Sequence, residues 1–247
     1  MSSLPTALLV LVGSYLIGSS PFAYLIVKAV TGEDITQHGS GNIGSMNVRR
    51  TTGSWGWFAL AVLGDGMKGL VPVFVAKWLG GLPVLLPYSQ GVVMALHSSA
   101  TSLPDPTMLN GWIYLLANPL PWLAVFGCVL GHNYSLWVAL IKHKRLARTG
   151  KGLATGAGAL LAYDWRYFVA VVVVGLLVIA VTRYMMAGQV AAAATLPVVA
   201  LASRSFDWPF ALLMGSIVYA AHHKRFVGML HGQEPKLYIN DRMGPTG

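Results

Sequence analysis

Residues 8–30 read LLVLVGSYLIGSSPFAYLIVKAV, and residues 38–50 read HGSGNIGSMNVRR. The first stretch is an apolar run long enough to cross a bilayer. The second contains Gly-x-Gly-x-x-Gly, a spacing typical of dinucleotide-binding loops. Such a loop, however, follows a strand and opens a helix within a soluble βαβ unit. A membrane-length run before the glycines argues against that fold and indicates a phosphate-binding loop at a membrane surface.

The composition identifies the chain as an all-α, polytopic membrane protein. Hydrophobic residues make up 55% of its 247 residues and charged residues only 10%, whereas a soluble domain carries about 25% charged residues. The one cysteine, Cys128, excludes an internal disulfide and a CxxC metal or redox site. No basic helix is interleaved with base-stacking aromatic residues, so we expect no nucleic-acid partner. We assign residues 1–247 to a single membrane-embedded domain.

The apolar runs predict seven transmembrane helices. These runs lie at residues 5–30, 54–79, 112–140, 152–163, 166–184, 187–203 and 208–223. Residues 83–103 are also apolar, but prolines, His97 and a Ser/Thr cluster interrupt them. We therefore interpret this segment as part of a non-spanning insertion near residues 83–110.

The positive charges predict the orientation. With seven spans and the N-terminus outside, 13 of the 17 Lys and Arg residues face the inside, in agreement with the positive-inside tendency. The other four are Lys77, Arg166 and Arg204 outside and Lys68 within a span. This arrangement places the C-terminus and the residue 38–50 loop on the cytoplasmic side of the cell inner membrane. The net charge of +9 then follows from orientation beside anionic lipid.

The residue 38–50 loop combines backbone and side-chain groups that suit a phosphate. Glycines lack a Cβ, so consecutive N–H groups can turn inward as an anion nest. An arginine adds a planar, bidentate fork, and neutral polar side chains add donors. The candidate binding residues are Gly39, Ser40, Gly41, Asn42, Gly44, Asn47 and Arg50. An ordinary tight turn between two helices is the alternative interpretation.

A second glycine-lysine element lies at Gly150, Lys151 and Gly152, with Thr155 one turn later. It opens a helix, where free N–H groups and the helix dipole attract anions. The element is not a P-loop, because that motif requires Gly where Arg145 stands and Ser or Thr where Gly152 stands. The alternative is a basic flank of a span with a glycine that serves packing.

Polar groups within the spans form a third set. Asp65 and Lys68 share one helix face, and isolated charges within a membrane are costly, so we predict that they pair. We favour a self-neutralising pair that supports the wall of the site over direct substrate contact. His132 is interpreted as a hydrogen-bonded core residue, whereas His222 lies beside a cationic tail, where a general base or orienting group could act. Because adjacent His222 and His223 point about 100° apart on a helix, we expect no metal site.

Together these motifs resemble the bacterial acyl-phosphate:glycerol-3-phosphate acyltransferase family, PlsY. Gly39–Val48, followed by Arg50 and Gly53, is similar to its GSGNIGATNVxRxxG motif. The resemblance continues in chain order over almost the whole sequence. Its other elements are Ser19–Tyr24, Asp65-x-x-Lys68-Gly69, Gly131-His132-x-Tyr134, Lys151-Gly152-x-Ala154-Thr155, Thr182-Arg183-Tyr184, and His222 with Gly232-x-Glu234.

The resemblance implies a seven-span enzyme whose site faces the cytoplasm. It implies transfer of a fatty acyl group from acyl phosphate to the 1-hydroxyl of glycerol 3-phosphate, which forms lysophosphatidic acid for phospholipid biosynthesis. Acyl thioesters are not used, no cofactor is implied, and the acyl chain is expected to enter between spans from the membrane lipid. Acyl phosphate is a mixed anhydride with a good leaving group, so orientation and charge stabilisation can supply most of the catalysis.

The resemblance also assigns roles to residues. It implies that Ser40, Lys151 and His222 are catalytic, with His222 orienting or deprotonating the attacking hydroxyl. One phosphate or the acceptor lies against the first loop, and the second phosphate lies against Lys151 and the Gly150–Gly152 N–H groups. Thr155 and Arg225 complete the binding set, and Asp65, Lys68, His132 and Arg183 support it.

The chain departs from the family pattern at several of these motifs. Met46 replaces a Thr, Arg148-Thr149 replaces Lys-Gly, Met186 replaces a Ser, Arg225 replaces an Asn and Gly228 replaces an Arg. Methionine donates no hydrogen bond, so two polar contacts are lost. A non-catalytic relative that binds lipid or phosphate is therefore the alternative hypothesis. A small transporter is the third hypothesis, although no inverted repeat supports it.

Overall fold

The computed structural model describes residues 3–98 and 111–233. Within those residues the chain forms α-helices, one short 3-10 helix at Ile35–Gln37 and no strand, which confirms the all-α prediction. The helices are α1 Leu4–Gly18, α2 Phe22–Thr31, α3 Ser45–Thr52, α4 Trp55–Leu79, α5 Tyr88–Ser98, α6 Gly111–Ala117, α7 Leu120–Asn133, α8 Leu136–Ile141, α9 Leu153–Tyr163, α10 Trp165–Thr182, α11 Met185–Ala202 and α12 Trp208–Leu230.

Five helical stretches of the described chain are long and apolar enough to cross a membrane. They are Leu4–Thr31, Trp55–Leu79, Leu120–Ile141, Trp165–Thr182 and Met185–Ala202. Two apolar helices, Leu153–Tyr163 and Trp208–Ala220, are shorter. The chain is thus an integral membrane protein, and the predicted total of seven spans depends on these two shorter helices.

The first predicted span, residues 5–30, is broken in the structure. Helix α1 ends at Gly18 and α2 begins at Phe22, with Ser19, Ser20 and Pro21 between them. Proline has no N–H to donate and its ring clashes with the preceding turn, so the helix cannot continue through Pro21. The Ser19 N–H still bonds to the Tyr15 carbonyl at 2.8 Å and satisfies the end of α1.

The third predicted span, residues 112–140, is wrong at its beginning. Asn118 and Pro119 separate α6 from α7, and Pro121 lies in the first turn of α7, so the candidate span starts at Leu120. A second interruption follows Asn133, and α8 begins after Ser135, whose hydroxyl accepts from the Val138 N–H at 3.2 Å. The predicted insertion near 83–110 contains α5, which is 11 residues long. Residues 99–110 of that insertion lie outside the described residues.

The described residues form two compact units. The loop-bearing unit comprises residues 3–76 and 123–160, and the C-terminal unit comprises residues 77–98, 111–122 and 161–233. The prediction of a single domain over residues 1–247 remains a prediction. All residues of the two glycine loops belong to the loop-bearing unit.

Glycines allow the helices of the loop-bearing unit to pack closely. A Cβ at Gly158 in α9 would lie 2.0 Å from the Gly66 carbonyl oxygen in α4, and one at Gly69 would lie 2.0 Å from the Thr155 carbonyl oxygen. A Cβ at Gly131 in α7 would similarly lie 2.2 Å from the Tyr15 carbonyl oxygen in α1. Small residues that permit such approach are typical of helix interfaces in membranes. These contacts fix α4 against α9 and α1 against α7.

The C-terminal unit is built from α10, α11 and α12, which pack in sequence, and from a cluster of buried aromatic rings. Tyr88 and Tyr163 stack with ring centroids 4.8 Å apart. The Lys77 ammonium, 1% exposed, donates to the carbonyls of Val84, Leu86 and Ala162 at 2.6–2.9 Å. A buried cation is thereby used to cap the turns that follow α4.

Candidate active site

The first glycine loop turns around the side chain of Asn47. This side chain, 1% exposed, donates through Nδ2 to the carbonyls of Ile35, His38 and Asn42 at 2.9–3.0 Å. Its Oδ1 accepts from the Ser40 N–H at 3.2 Å. In the structure Asn47 thus holds the loop together, and its assignment to phosphate contact remains a prediction.

The glycines of this loop are required by its backbone. Gly39 and Gly41 have φ values of +52° and +68°, in the left-handed region that favours glycine. A Cβ at Gly39 would also lie 2.4 Å from Asn47 Oδ1. The loop ends at Gly44, which forms the N-cap of α3 without a side-chain hydrogen bond. The first-turn N–H groups of α3 thus follow directly on the glycine turn.

The loop leaves two of its candidate ligands open to solvent. Ser40 and Arg50 are exposed, and Asn42 is half-buried. The Arg50 side chain passes beside Gly39, where an added Cβ would lie 3.3 Å from Arg50 Cδ. The neighbouring Arg49 is used differently, because its guanidinium lies 4.8 Å from the ring centroid of Trp55. Of the two arginines, Arg50 is the one placed with the glycines.

The second glycine loop precedes α9. Gly152 has a φ of +72°, and a Cβ there would lie 3.0 Å from Asn133 Oδ1. Gly150 packs against the ring of His132, because an added Cβ would lie 2.2 Å from His132 Nε2. Lys151, half-buried, stands between these two glycines. The loop therefore carries a lysine on a backbone that only glycines fit.

One backbone hydrogen bond joins the two loops. The Ile43 N–H of the first loop donates to the Thr149 carbonyl of the second at 2.7 Å. Thr149 in turn donates its own N–H to the Asn133 carbonyl at 2.8 Å, at the end of α7. The two candidate phosphate loops are therefore parts of one continuous structure, which their separation of about 100 residues in the sequence does not reveal.

A buried polar network lies behind the loops. The Lys68 ammonium is 2.7 Å from Asp65 Oδ1 and donates to the Ser20 carbonyl at 2.8 Å. His132 Nδ1 is 3.8 Å from the same carboxylate oxygen and 3.1 Å from the Thr155 hydroxyl. The predicted Asp65–Lys68 pair is confirmed, as is the buried, hydrogen-bonded state of His132. Thr155, 0% exposed, bonds to His132 in the structure, and its assignment to phosphate binding remains a prediction.

The Ser20 carbonyl is the contact that sequence reasoning missed. The Ser-Ser-Pro break in the first span exposes this carbonyl to a partner outside its own helix, and Lys68 supplies that partner. Ser135 adds a second link, since its hydroxyl donates to the Ser19 carbonyl. A proline inside an apolar run indicates a broken helix, and a broken helix leaves carbonyls that need hydrogen-bond donors from elsewhere.

Three predicted site residues lie in the C-terminal unit. Arg183 ends α10 with a φ of +61°, and its N–H bonds to the Ile179 carbonyl at 2.8 Å. His222 is 3% exposed, and its Nδ1 is 2.8 Å from the Val218 carbonyl. A carbonyl only accepts, so Nδ1 carries the proton and Nε2 is the basic nitrogen of the neutral ring. Arg225 is exposed.

Met186, where the family pattern has Ser, is a core residue of the C-terminal unit. It is 1% exposed near the beginning of α11. Met46 is half-buried on α3, within the first loop region. Met186 is therefore buried in the interior of its unit, whereas Met46 lies beside the first glycine loop.

The sequence model of the glycerol-3-phosphate acyltransferase family matches residues 8–232. The chain belongs to the glycerol-3-phosphate acyltransferase family. The family relatives include enzymes of that name from Thermosynechococcus vestitus, 34% identical over 91% of this chain and 92% of theirs, and from Acaryochloris marina, 32% identical over 92% and 90%. The resemblance drawn from the motifs is thereby confirmed.

Two crystal structures of PlsY, an integral membrane glycerol 3-phosphate acyltransferase, share the fold of this family member. The glycerol 3-phosphate form has a TM-score of 0.67 at 23% identity, covering 94% of this chain and 96% of that one. The lysophosphatidic acid form has a TM-score of 0.66 at 22% identity, covering 96% and 98%. The helical architecture described above is thus the architecture of an integral membrane protein of known fold.

Proposed function

We propose that this protein transfers a fatty acyl group from acyl phosphate to the 1-hydroxyl of glycerol 3-phosphate. The hydroxyl oxygen attacks the acyl carbonyl carbon, the bond between that carbon and the phosphate oxygen breaks, and the products are lysophosphatidic acid and inorganic phosphate. The observation that carries this proposal is the Ile43–Thr149 hydrogen bond, because it joins two loops that can each hold one phosphate. Family membership supports glycerol 3-phosphate as the acceptor.

The family resemblance supports acyl phosphate as the donor, and the proposed step is direct attack without an acyl-enzyme. The buried Cys128 in α7 agrees with the absence of a cysteine-linked intermediate. A mixed anhydride such as acyl phosphate already carries a good leaving group, so the acceptor hydroxyl can attack it directly. The protein then has to orient two anionic substrates and stabilise the charge that develops.

The two loops divide this task in our proposal. Ser40, Asn42 and Arg50 bind one phosphate together with the N–H groups of the glycine turn, where the exposed arginine supplies a bidentate contact. Lys151 and the N–H groups between Gly150 and Gly152 bind the other. Placing the phosphates on joined loops fixes the distance between the attacking oxygen and the acyl carbon.

His222 is the residue proposed to handle the proton. Its Nδ1–H bond to the Val218 carbonyl leaves Nε2 as the basic nitrogen, which is the state a general base requires. The hydroxyl proton passes to Nε2 as the oxygen–carbon bond forms. Arg183 and Arg225 are proposed to add positive charge.

The proposed topology has seven spans with the N-terminus outside. Helices α9 and α12 supply the two shorter crossings, in addition to the five longer stretches. This count puts the 32–54 and 142–152 segments on the same, cytoplasmic side, where most positive charges fall. A water-soluble glycerol 3-phosphate can reach the loops from that side, and a lipid-borne donor can reach them from the bilayer.

The two loop cations provide the test of this function. We expect Arg50→Ala and Lys151→Ala each to lower the rate of lysophosphatidic acid formation by at least a hundredfold, because each removes a charged ligand from a phosphate. Arg49→Ala is the matched control, since Arg49 stacks on Trp55. It should retain activity within a few fold. Normal turnover by both loop variants would refute the site, and retained ligand binding without any turnover by the wild type would instead favour a non-catalytic binding protein.

A further inference from the structure

Thr149 makes contacts that connect most of the loop-bearing unit. It stands where the family motif has a glycine, so its side chain adds groups that the motif does not contain. The hydroxyl donates to the carbonyls of His132 at 2.9 Å and Asn133 at 3.3 Å, and it accepts from the Ser135 N–H at 3.3 Å. The oxygen therefore uses its donor and its acceptor capacity at the junction of α7 and α8.

The main chain of Thr149 continues these contacts into both loops. Its N–H bonds to the Asn133 carbonyl, and its carbonyl accepts from the Ile43 N–H at 2.7 Å. Gly150 and Lys151 follow immediately in the second loop. One half-buried residue thus fixes the start of the second loop and holds the centre of the first.

From these contacts we infer that Thr149 is a positioning residue that sets the register of the two phosphate loops. Its hydroxyl anchors the second loop to α7 and α8, and its carbonyl transmits that anchor to Ile43. A glycine at this position keeps the main-chain contacts but has no hydroxyl and has more conformational freedom. The inference rests on the function proposed above, because the loops are taken to bind the two substrates.

Three substitutions separate the parts of this inference. Thr149→Val keeps the shape of the side chain and removes the hydroxyl, Thr149→Ser keeps the hydroxyl, and Thr149→Gly removes the side chain. Thr195→Val is the matched control, because the Thr195 hydroxyl bonds within its own helix, α11, to the Ala192 carbonyl at 2.7 Å. All variants are purified at full length and compared in folded fraction and melting temperature.

Kinetics distinguish positioning from a general loss of folded protein. Because Thr149 contacts both loops, Thr149→Val and Thr149→Gly should raise the KM for glycerol 3-phosphate and the KM for palmitoyl phosphate together, by about 3- to 10-fold each. Thr149→Ser and Thr195→Val should change neither KM by more than about twofold. A loss of folded molecules alone would lower the apparent kcat and leave both KM values unchanged.

Hydrogen exchange supplies a readout that does not depend on activity. We expect amide exchange in residues 39–50 to be faster in Thr149→Val than in the wild type and Thr149→Ser, because Ile43 loses a fixed acceptor. Unchanged exchange there, or unchanged KM values in a folded Thr149→Val protein, would overturn the role of Thr149. Faster exchange in a protein whose wild type forms no lysophosphatidic acid would overturn the proposed function and leave the positioning role intact.

Discussion

At the scale of single residues, the first loop depends on one amide side chain. The Asn47 side chain donates to three carbonyls, those of Ile35, His38 and Asn42, and accepts from the Ser40 N–H, so it ties both ends of the glycine turn together. The motif in the sequence predicts the glycines and Arg50 as phosphate ligands, and the backbone angles of Gly39 and Gly41 agree with a built turn. The motif alone does not distinguish Asn42 from Asn47, because the two side chains are identical. They differ in the structure, where Asn42 is half-buried and Asn47 is buried.

An ion pair between Asp34 and Lys142 stabilises the segment that precedes the first glycine loop. Lys142 lies 2.6 Å from Asp34 Oδ2, and both Lys142 and the Thr36 N–H donate to the Asp34 carboxylate. Burial opposes ionisation of Asp34, but these hydrogen bonds outweigh it and lower the pKa of Asp34 from 3.8 to about 2. The ionised carboxylate therefore favours the folded state above pH 3.8, and this contribution is lost as the pH falls through 2.

We predict that Asp34→Asn lowers the unfolding free energy by about 1 kcal/mol at pH 7, since the pair is partly solvated. The difference in melting temperature between the wild type and the variant should shrink as the pH falls from 4 towards 2. Thermal unfolding at three pH values measures it. A difference that stays constant over that range would show that the charge of Asp34 is not the stabilising feature.

At the scale of helices, the break between α1 and α2 organises the site. The sequence predicts one continuous span over residues 5–30, because hydrophobicity alone does not report a broken helix. The proline was visible, but the partner of the freed carbonyl, Lys68, is 48 residues away from Ser20. The same limit applies to residues 112–140, where Pro119 and Pro121 mark the boundary that the apolar composition conceals.

The Asp65–Lys68 pair can be tested for more than self-neutralisation. Lys68→Met should destabilise the protein by about 3–5 kcal/mol, because it leaves a buried carboxylate without its partner. The double variant Asp65→Asn with Lys68→Met should recover most of this stability. It should still have lower activity than the wild type, since the Ser20 carbonyl loses its link to α4 through Lys68. Thermal unfolding and turnover, measured together, check both effects, and full recovery of activity in the double variant would mean that the pair only neutralises itself.

The close contact between α4 and α9 at Gly158 can be tested by substitution. Gly158→Val should destabilise the protein by about 2 kcal/mol or more, because α9 cannot approach the Gly66 carbonyl with a branched side chain in place. Gly13→Val is the control, since no atom lies within 4 Å of an added Cβ there. We expect the control to melt within a few degrees of the wild type. Equal melting temperatures for both variants would contradict the close α4–α9 contact.

At the scale of the whole molecule, the positive charges and the number of spans predict which loops and which terminus face the cytoplasm. The five longer stretches could be predicted from apolar length, and the two shorter helices could be located from their apolar composition. The positive residues then favour one orientation of the complete set. The juxtaposition of Ile43 and Thr149 could not be predicted, because neither residue type nor spacing identifies a main-chain contact between distant loops.

Labelling with a membrane-impermeant maleimide tests the topology. The native Cys128 is buried, so single cysteines can be introduced at two exposed positions, His143→Cys and Ser203→Cys. In intact inverted vesicles, whose cytoplasmic face is outward, His143→Cys should be labelled and Ser203→Cys should be protected. Right-side-out vesicles should give the opposite pattern. Labelling of both positions from one side would contradict the seven-span orientation.

The acyl donor tests the central claim of two phosphates on joined loops most directly. Purified wild-type protein in nanodiscs is supplied with glycerol 3-phosphate and either palmitoyl phosphate or palmitoyl-CoA, and lysophosphatidic acid is measured by mass spectrometry. We expect lysophosphatidic acid and equimolar inorganic phosphate from palmitoyl phosphate, and no product above background from palmitoyl-CoA. Absence of product from palmitoyl phosphate, or equal rates with the two donors, would contradict the account.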